Sequence, residues 1–172
     1  MYNEIMPGLT VDGGGQLALG GCRLTELAAE YGTPVYVLDE RTLLDNCRAF
    51  TGAMARCYGE NFTIAYASKA LACKEIYRMM AREGMGIDVV SGSELYTALA
   101  AGFPADRVYF HGNYKTAGEI SYGLEVGVRR FVVDNLEELR TLNELAGQRG
   151  RRVDIAVRLT PDRKSTRLNS SH

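Results

Sequence analysis

Lys69 closes the apolar run Phe62-Thr-Ile-Ala-Tyr-Ala-Ser-Lys69. An amine at the end of a buried strand loses hydration, which disfavours its ammonium form and frees the neutral amine at neutral pH. A neutral lysine amine forms Schiff bases with aldehydes and ketones. The commoner use of such a lysine is to lay its stem on apolar surface with its head in water. Asp88 opens a second apolar run, Gly86-Ile-Asp-Val-Val-Ser-Gly-Ser-Glu94. A carboxylate in a buried strand needs a partner, and Lys69 and Arg158 are the candidates. A structural ion pair and a catalytic role are both open to it. His111 follows Val108-Tyr-Phe110, and Arg158 follows Ile155-Ala-Val157. A lone histidine more often satisfies a local hydrogen bond than performs catalysis. Ser91 and Glu94 have the spacing of a helix capping box, which alone accounts for Glu94. Asn113 lies two residues beyond His111.

Elements that would position these groups alternate along the chain. Apolar, β-rich runs are predicted as strands at Val35–Leu38, Thr63–Ala67, Ile87–Val90, Val108–Phe110, Phe131–Val133 and Ile155–Val157. Helical periodicity is predicted at Thr42–Met54, Ala72–Glu83, Ser93–Ala101, Ala117–Glu125 and Leu136–Gln148. Thr116 with Glu119 has capping-box spacing, and Asp134 with Glu137 imitates it. Runs apolar on both faces suit parallel strands buried between layers. The expected fold is therefore α/β, either a barrel or an open sheet, and six regular units without a visible order reversal lean toward a partial (β/α)8 barrel with about six of the eight units. In such a barrel Lys69, Asp88, Ser91, His111, Asn113 and Arg158 all fall at or near the C-terminal strand ends, where active sites form. Before the barrel, Leu9–Leu19 reads as a β-hairpin around Gly13-Gly-Gly15, and Thr25–Tyr31 as a short helix.

Composition excludes several classes. The 172 residues are 46% hydrophobic with a net charge of -1, which gives no footprint for nucleic acid or an anionic membrane. No apolar stretch approaches the ~20 residues of a spanning helix. The four cysteines lack CxxC spacing, so reduced thiols and no metal site are expected, as in a cytoplasmic enzyme. The run Asp162–His172 translates one frame of a common sequencing-adapter oligonucleotide and is set apart from fold reasoning. Without its three basic residues and one acidic residue, the 20 basic and 21 acidic side chains become 17 and 20, a net charge of -3.

Tyr66-Ala-Ser-Lys-Ala70 followed by Gly86-Ile-Asp-Val-Val-Ser-Gly-Ser-Glu-Leu95 resembles the fold-type III pyridoxal-phosphate decarboxylases. Glu30-Tyr-Gly-Thr-Pro-Val-Tyr-Val-Leu-Asp39, His111-Gly-Asn-Tyr-Lys115 and Val157-Arg-Leu-Thr-Pro161 agree with it. His111-Gly-Asn-x-Lys115 favours the branch that converts meso-diaminopimelate to L-lysine. The resemblance implies pyridoxal 5'-phosphate as cofactor, held by Lys69, with His111 and Arg158 in the cofactor pocket and Asp88 catalytic. Ser91, Glu94 and Asn113 are weaker candidates. It implies an amino-acid substrate and a homodimeric full-length parent. Residues 1–34 would belong to a second, β-rich domain and 35–161 to the incomplete barrel. A histidine stacked on the cofactor, a glycine-rich phosphate loop and a Glu-Pro-Gly-Arg run of that family do not occur in this sequence, so the 172-residue chain alone is expected to be inactive. Alternatives within the resemblance are another basic amino-acid or carboxynorspermidine decarboxylase, and a non-enzymatic pyridoxal-phosphate-binding barrel.

Overall fold

The computed structural model describes residues 6–159, which fall into two compact units divided after Phe62. Residues 160–172, including Pro161 and the adapter-like run, lie outside the described residues.

The first unit begins with an antiparallel sheet of β1 (Leu9–Val11), β2 (Leu17–Leu19) and β3 (Cys22–Arg23). The expected hairpin forms, and its turn is closed by Asp12. The Asp12 carboxylate accepts from the Gly14 and Gln16 N–H groups at 2.9 and 3.0 Å, and pairs with Arg23 at 2.6 Å. The short β3 is an element the sequence pattern did not mark. Helices α1 (Leu24–Tyr31) and α2 (Glu40–Tyr58) follow, the latter capped by Asp39, whose carboxylate accepts from the Arg41 N–H. Val35–Leu38, predicted as a strand, pairs with no strand among the described residues, and Tyr36 is fully exposed. Apolar β-rich composition specifies a strand only where a neighbour supplies the ladder bonds, and here none does.

The second unit is a five-stranded parallel sheet in sequential order, so five barrel strands stand where about six were expected. The strands are β4 (Ala65–Ala67), β5 (Gly86–Val89), β6 (Val108–Phe110), β7 (Arg130–Val133) and β8 (Asp154–Val157). Between them run α3 (Lys74–Arg82), α4 (Gly92–Ala100), α5 (Ala117–Val126) and α6 (Leu136–Gln148). Unbroken sequential order without a reversal is barrel-like topology.

The two faces of the sheet differ. Ile87, Val89, Val108, Phe110, Phe131 and Val133 are fully or almost fully buried, and they alternate with half-buried Asp88, Tyr109 and Val132. The buried set meets the helices. A Cβ added at Gly123 of α5 would stand 2.9 Å from the Phe131 ring and 3.1 Å from that of Phe110, so glycine is what lets this helix approach. The two rings stack at 5.9 Å. Each such side chain contributes roughly 1.5–3 kcal/mol on burial. The half-buried set faces the barrel's inner side, and the helices among the described residues cover the other face, as in the expected partial barrel.

Helix entries are set by local chemistry. The Thr116 hydroxyl accepts from the Glu119 N–H and the Glu119 carboxylate accepts from the Thr116 N–H, completing the predicted capping box of α5. The other Glu119 oxygen accepts from the Gly92 N–H at 2.8 Å, so one carboxylate serves the N-termini of α4 and α5. At α6 the cap is Asn135, accepting from the Glu138 N–H at 2.9 Å, one residue later than the Asp134–Glu137 pattern suggested. No helix among the described residues is long and apolar enough to cross a membrane.

Candidate functional site

The C-terminal ends of the five parallel strands surround an open cavity of about 730 Å³. Ala67 and Lys69 reach it from the end of β4, Asp88 from β5 and Val90 from just beyond it, and His111, Gly112 and Asn113 from the segment after β6. Val132 of β7 and Arg158 beyond β8 complete the lining. Five predicted site residues, Lys69, Asp88, His111, Asn113 and Arg158, thus line one space. Ser91 and Glu94 do not line it. The Ser91 hydroxyl accepts from the Glu94 N–H at 3.3 Å at the start of α4, and the Glu94 carboxylate accepts from the Val90 N–H at 2.8 Å. Glu94 therefore reaches back one residue beyond the cap, to the end of β5.

The sheet fixes the backbone of the site. Its ladder continues past the strand ends, with the His111 N–H donating to the Val89 carbonyl at 2.8 Å and the Arg158 N–H to the Val133 carbonyl at 2.9 Å. Lys69 sits in a single 3-10 turn, Ser68–Ala70, directly after β4. Burial falls on Ser68, and Lys69 is exposed. The burial expected from the apolar run therefore falls on the neighbour of Lys69, one residue before the amine. The Lys69 amine has no hydrogen-bonding or ionic partner among the described residues.

Asp88 takes neither partner expected for it. Its Oδ2 lies 3.2 Å from His111 Nδ1, and its Oδ1 is buried with no hydrogen bond among the described residues. Arg158 pairs instead with Asp134 at 3.1 Å. The one-residue shift of the α6 cap makes this possible, since Asn135 takes over the helix end and leaves the Asp134 carboxylate to the guanidinium. Gly112 has φ +105°, and a Cβ there would stand 2.7 Å from the Val90 carbonyl oxygen. Only glycine passes that close to the end of β5. Gly112 lay inside a noted motif, but its role as a cradle appears only with the fold, as do those of Ala67, Val90 and Val132.

These groups fit a small aldehyde-bearing anion. Among the described residues the Lys69 amine at the cavity has no partner and one Asp88 carboxylate oxygen accepts no hydrogen bond, and Gly112 leaves room beside the end of β5. No group of three or more metal-ligating side chains is assembled among the described residues.

Comparison with known proteins points the same way. A family model, pyridoxal-dependent decarboxylase, pyridoxal binding domain, matches residues 42–171, a span that takes in most of the adapter-like run. Diaminopimelate decarboxylase of Bacillus subtilis (strain 168) is 42% identical over 147 residues, covering 86% of this chain and 33% of the relative. That of Actinosynnema pretiosum subsp. auranticum is 46% identical over 148 residues, covering 86% and 32%. Among solved structures, diaminopimelate decarboxylase from M. jannaschii in complex with L-lysine aligns with a TM-score of 0.82 at 35% identity, covering 95% of this chain and 40% of that one. Lysine/ornithine decarboxylase from Vibrio vulnificus in complex with cadaverine aligns at 0.66 and 28%, covering 82% and 36%. The chain spans about a third of the length of the curated relatives it matches.

Proposed function

We propose, from the premise that this chain belongs to the pyridoxal-dependent decarboxylases, that the whole protein releases carbon dioxide from meso-diaminopimelate and yields L-lysine. The observation that supports it best is the gathering of Lys69, the Asp88–His111 pair and Arg158 around one cavity at the C-terminal strand ends. Substrate choice rests on the relatives at 42–46% identity, both named for diaminopimelate.

In this reading Lys69 holds pyridoxal 5'-phosphate through its amine, and His111 and Arg158 border the cofactor. When bound, the pyridoxal ring supplies an electron sink for the pair left when the substrate carboxylate departs. Asp88 orients His111. A carboxylate accepting from Nδ1–H selects one tautomer and leaves Nε2 as an acceptor. Arg158, steadied by Asp134, adds a cation whose position does not depend on its own flexible stem. The exposed position of Lys69 suits an amine that must exchange with a substrate amine, since neither needs to cross a closed core. A homodimer in the cytoplasm belongs to the same reading, and sedimentation and cell fractionation test those two points.

Borohydride reduction of the whole protein with pyridoxal phosphate, followed by peptide mapping, should place the pyridoxyl group on Lys69. An adduct on Lys74 or Lys115 would sink the assignment. Carbon dioxide release should be fastest with meso-diaminopimelate. Faster release from ornithine, lysine or arginine would move the protein to the basic amino-acid branch that the Vibrio vulnificus enzyme represents.

A further inference from the structure

Lys115 ends the His-Gly-Asn-Tyr-Lys run, yet its side chain is only 1% exposed and lines no part of the cavity. Its ammonium donates to the Gly112 carbonyl and to the Val132 carbonyl, both at 2.8 Å. It also lies 2.7 Å from Glu138 Oε1, a side chain only 4% exposed, and 5.9 Å from the centre of the Phe110 ring. Both carbonyls belong to residues that line the cavity, one in the segment after β6 and one in β7. One ammonium thus hydrogen-bonds a cavity loop and a cavity strand and is ion-paired with the first turn of α6.

Resting on the cofactor reading above, we infer that Lys115, with Glu138 as its counter-charge, is a positioning residue for the cavity, holding Gly112 and through it His111 and Asn113. Stability alone is a poor reason for this pair. Taking two charges out of water is costly, and apolar replacements of similar volume often leave stability unchanged or higher. Glu138 is not optimised as an ion-pair partner either, since both of its carboxylate oxygens are buried with no hydrogen bond among the described residues. The loop needs a restraint, because the positive φ of Gly112 gives its backbone wide freedom. On one side Gly112 abuts the Val90 carbonyl, and on the other its own carbonyl is drawn toward β7 by Lys115. The shift of the α6 cap to Asn135 contributes as well. It makes Glu138 the residue whose N–H is capped, with its side chain turned inward, while Glu137 pairs outward with Arg140.

The test uses the whole protein and the double variant K115M/E138Q, which removes both charges at similar volume. Thermal unfolding should remain cooperative and fall only modestly, because no charge is left unpaired while the Gly112 and Val132 carbonyls lose a donor. Without cofactor, amide hydrogen exchange at Gly112 and Asn113 should quicken at least tenfold relative to amides of β5. Affinity for pyridoxal phosphate should fall about tenfold or more, as expected when a binding group is displaced by a fraction of an ångström, and the bound cofactor's absorbance maximum should move. Exchange at the parental rate overturns the inference. So does faster exchange with parental affinity and absorbance, since the pair would then hold the loop without serving the cavity. If the double variant fails to fold, Glu138→Gln alone is judged by the same two readouts. A parent protein that takes up no pyridoxal phosphate sinks the functional reading itself, whereas unchanged exchange in the variant of a parent that binds sinks only the role given to Lys115.

Discussion

Asp88 presents one carboxylate oxygen to His111 and buries the other without a partner. A buried acceptor left unsatisfied costs about 1–3 kcal/mol, and at a cavity such an atom is a candidate to receive a ligand or substrate proton. Asp88→Asn keeps the shape and removes the charge. In the whole protein it should lower decarboxylation about 100-fold, within the range for positioned acid–base groups, with unfolding temperature little changed. Parental turnover in that variant would reduce Asp88 to a structural residue. Gly112 makes a different prediction. Gly112→Ala must adopt φ +105° and place a methyl 2.7 Å from a backbone oxygen. Denaturant unfolding should register a loss of about 1–3 kcal/mol, and a neutral result would mean that the segment can move aside.

Glu119 decides how α4 and α5 begin. Partial burial works against its ionisation, but bonds from the Gly92 and Thr116 N–H groups and the Thr116 hydroxyl, with the charge of Lys115, outweigh it and hold the carboxyl below its ordinary 4.5. A depressed carboxyl stabilises the fold fully above its ordinary value and loses that contribution as pH falls through the lower folded value. Glu119→Gln should therefore be less stable than the parent at pH 7, with the gap closing as melting curves are taken to more acidic pH below 4.5. A gap that widens on acidification would contradict the assignment. This element was legible in the sequence because its signal is local: Thr116 and Glu119 stand three residues apart, and α6 also has the bounds its periodicity predicted. The partners of Asp88, Lys115 and Asp134 were not legible. Each contact spans 23 or 24 residues and depends on strand register or on a one-residue choice of helix cap. Strand Val35–Leu38 failed for the same reason, since composition proposes a strand and only a neighbour makes one. Lys69 lies exposed in a single 3-10 turn, which the apolar run before it does not signal.

The five-stranded sheet has two outer edges, at β4 and β8, that pair with no strand among the described residues. Ile155, Val157 and Leu159 at the β8 side are exposed, a combination that invites edge-to-edge association. The 172-residue chain should therefore self-associate in sedimentation experiments at micromolar concentration, and Val157→Lys should reduce the effect. A concentration-independent monomer would show that the edge is protected. The sequential order of the strands has another consequence. Paired residues of neighbouring strands lie only 21 to 24 positions apart, as for Ala67 with Asp88 and Arg130 with Asp154. At ribosomal rates of about 5–20 residues per second, each strand would emerge roughly 1–5 s after the one it bonds to. The sheet can then be laid down in the order of translation, with one growing edge exposed at a time. An arrest-peptide assay on nascent chains should register pulling force in steps at that spacing, and a single late step would show that the strands wait for one another.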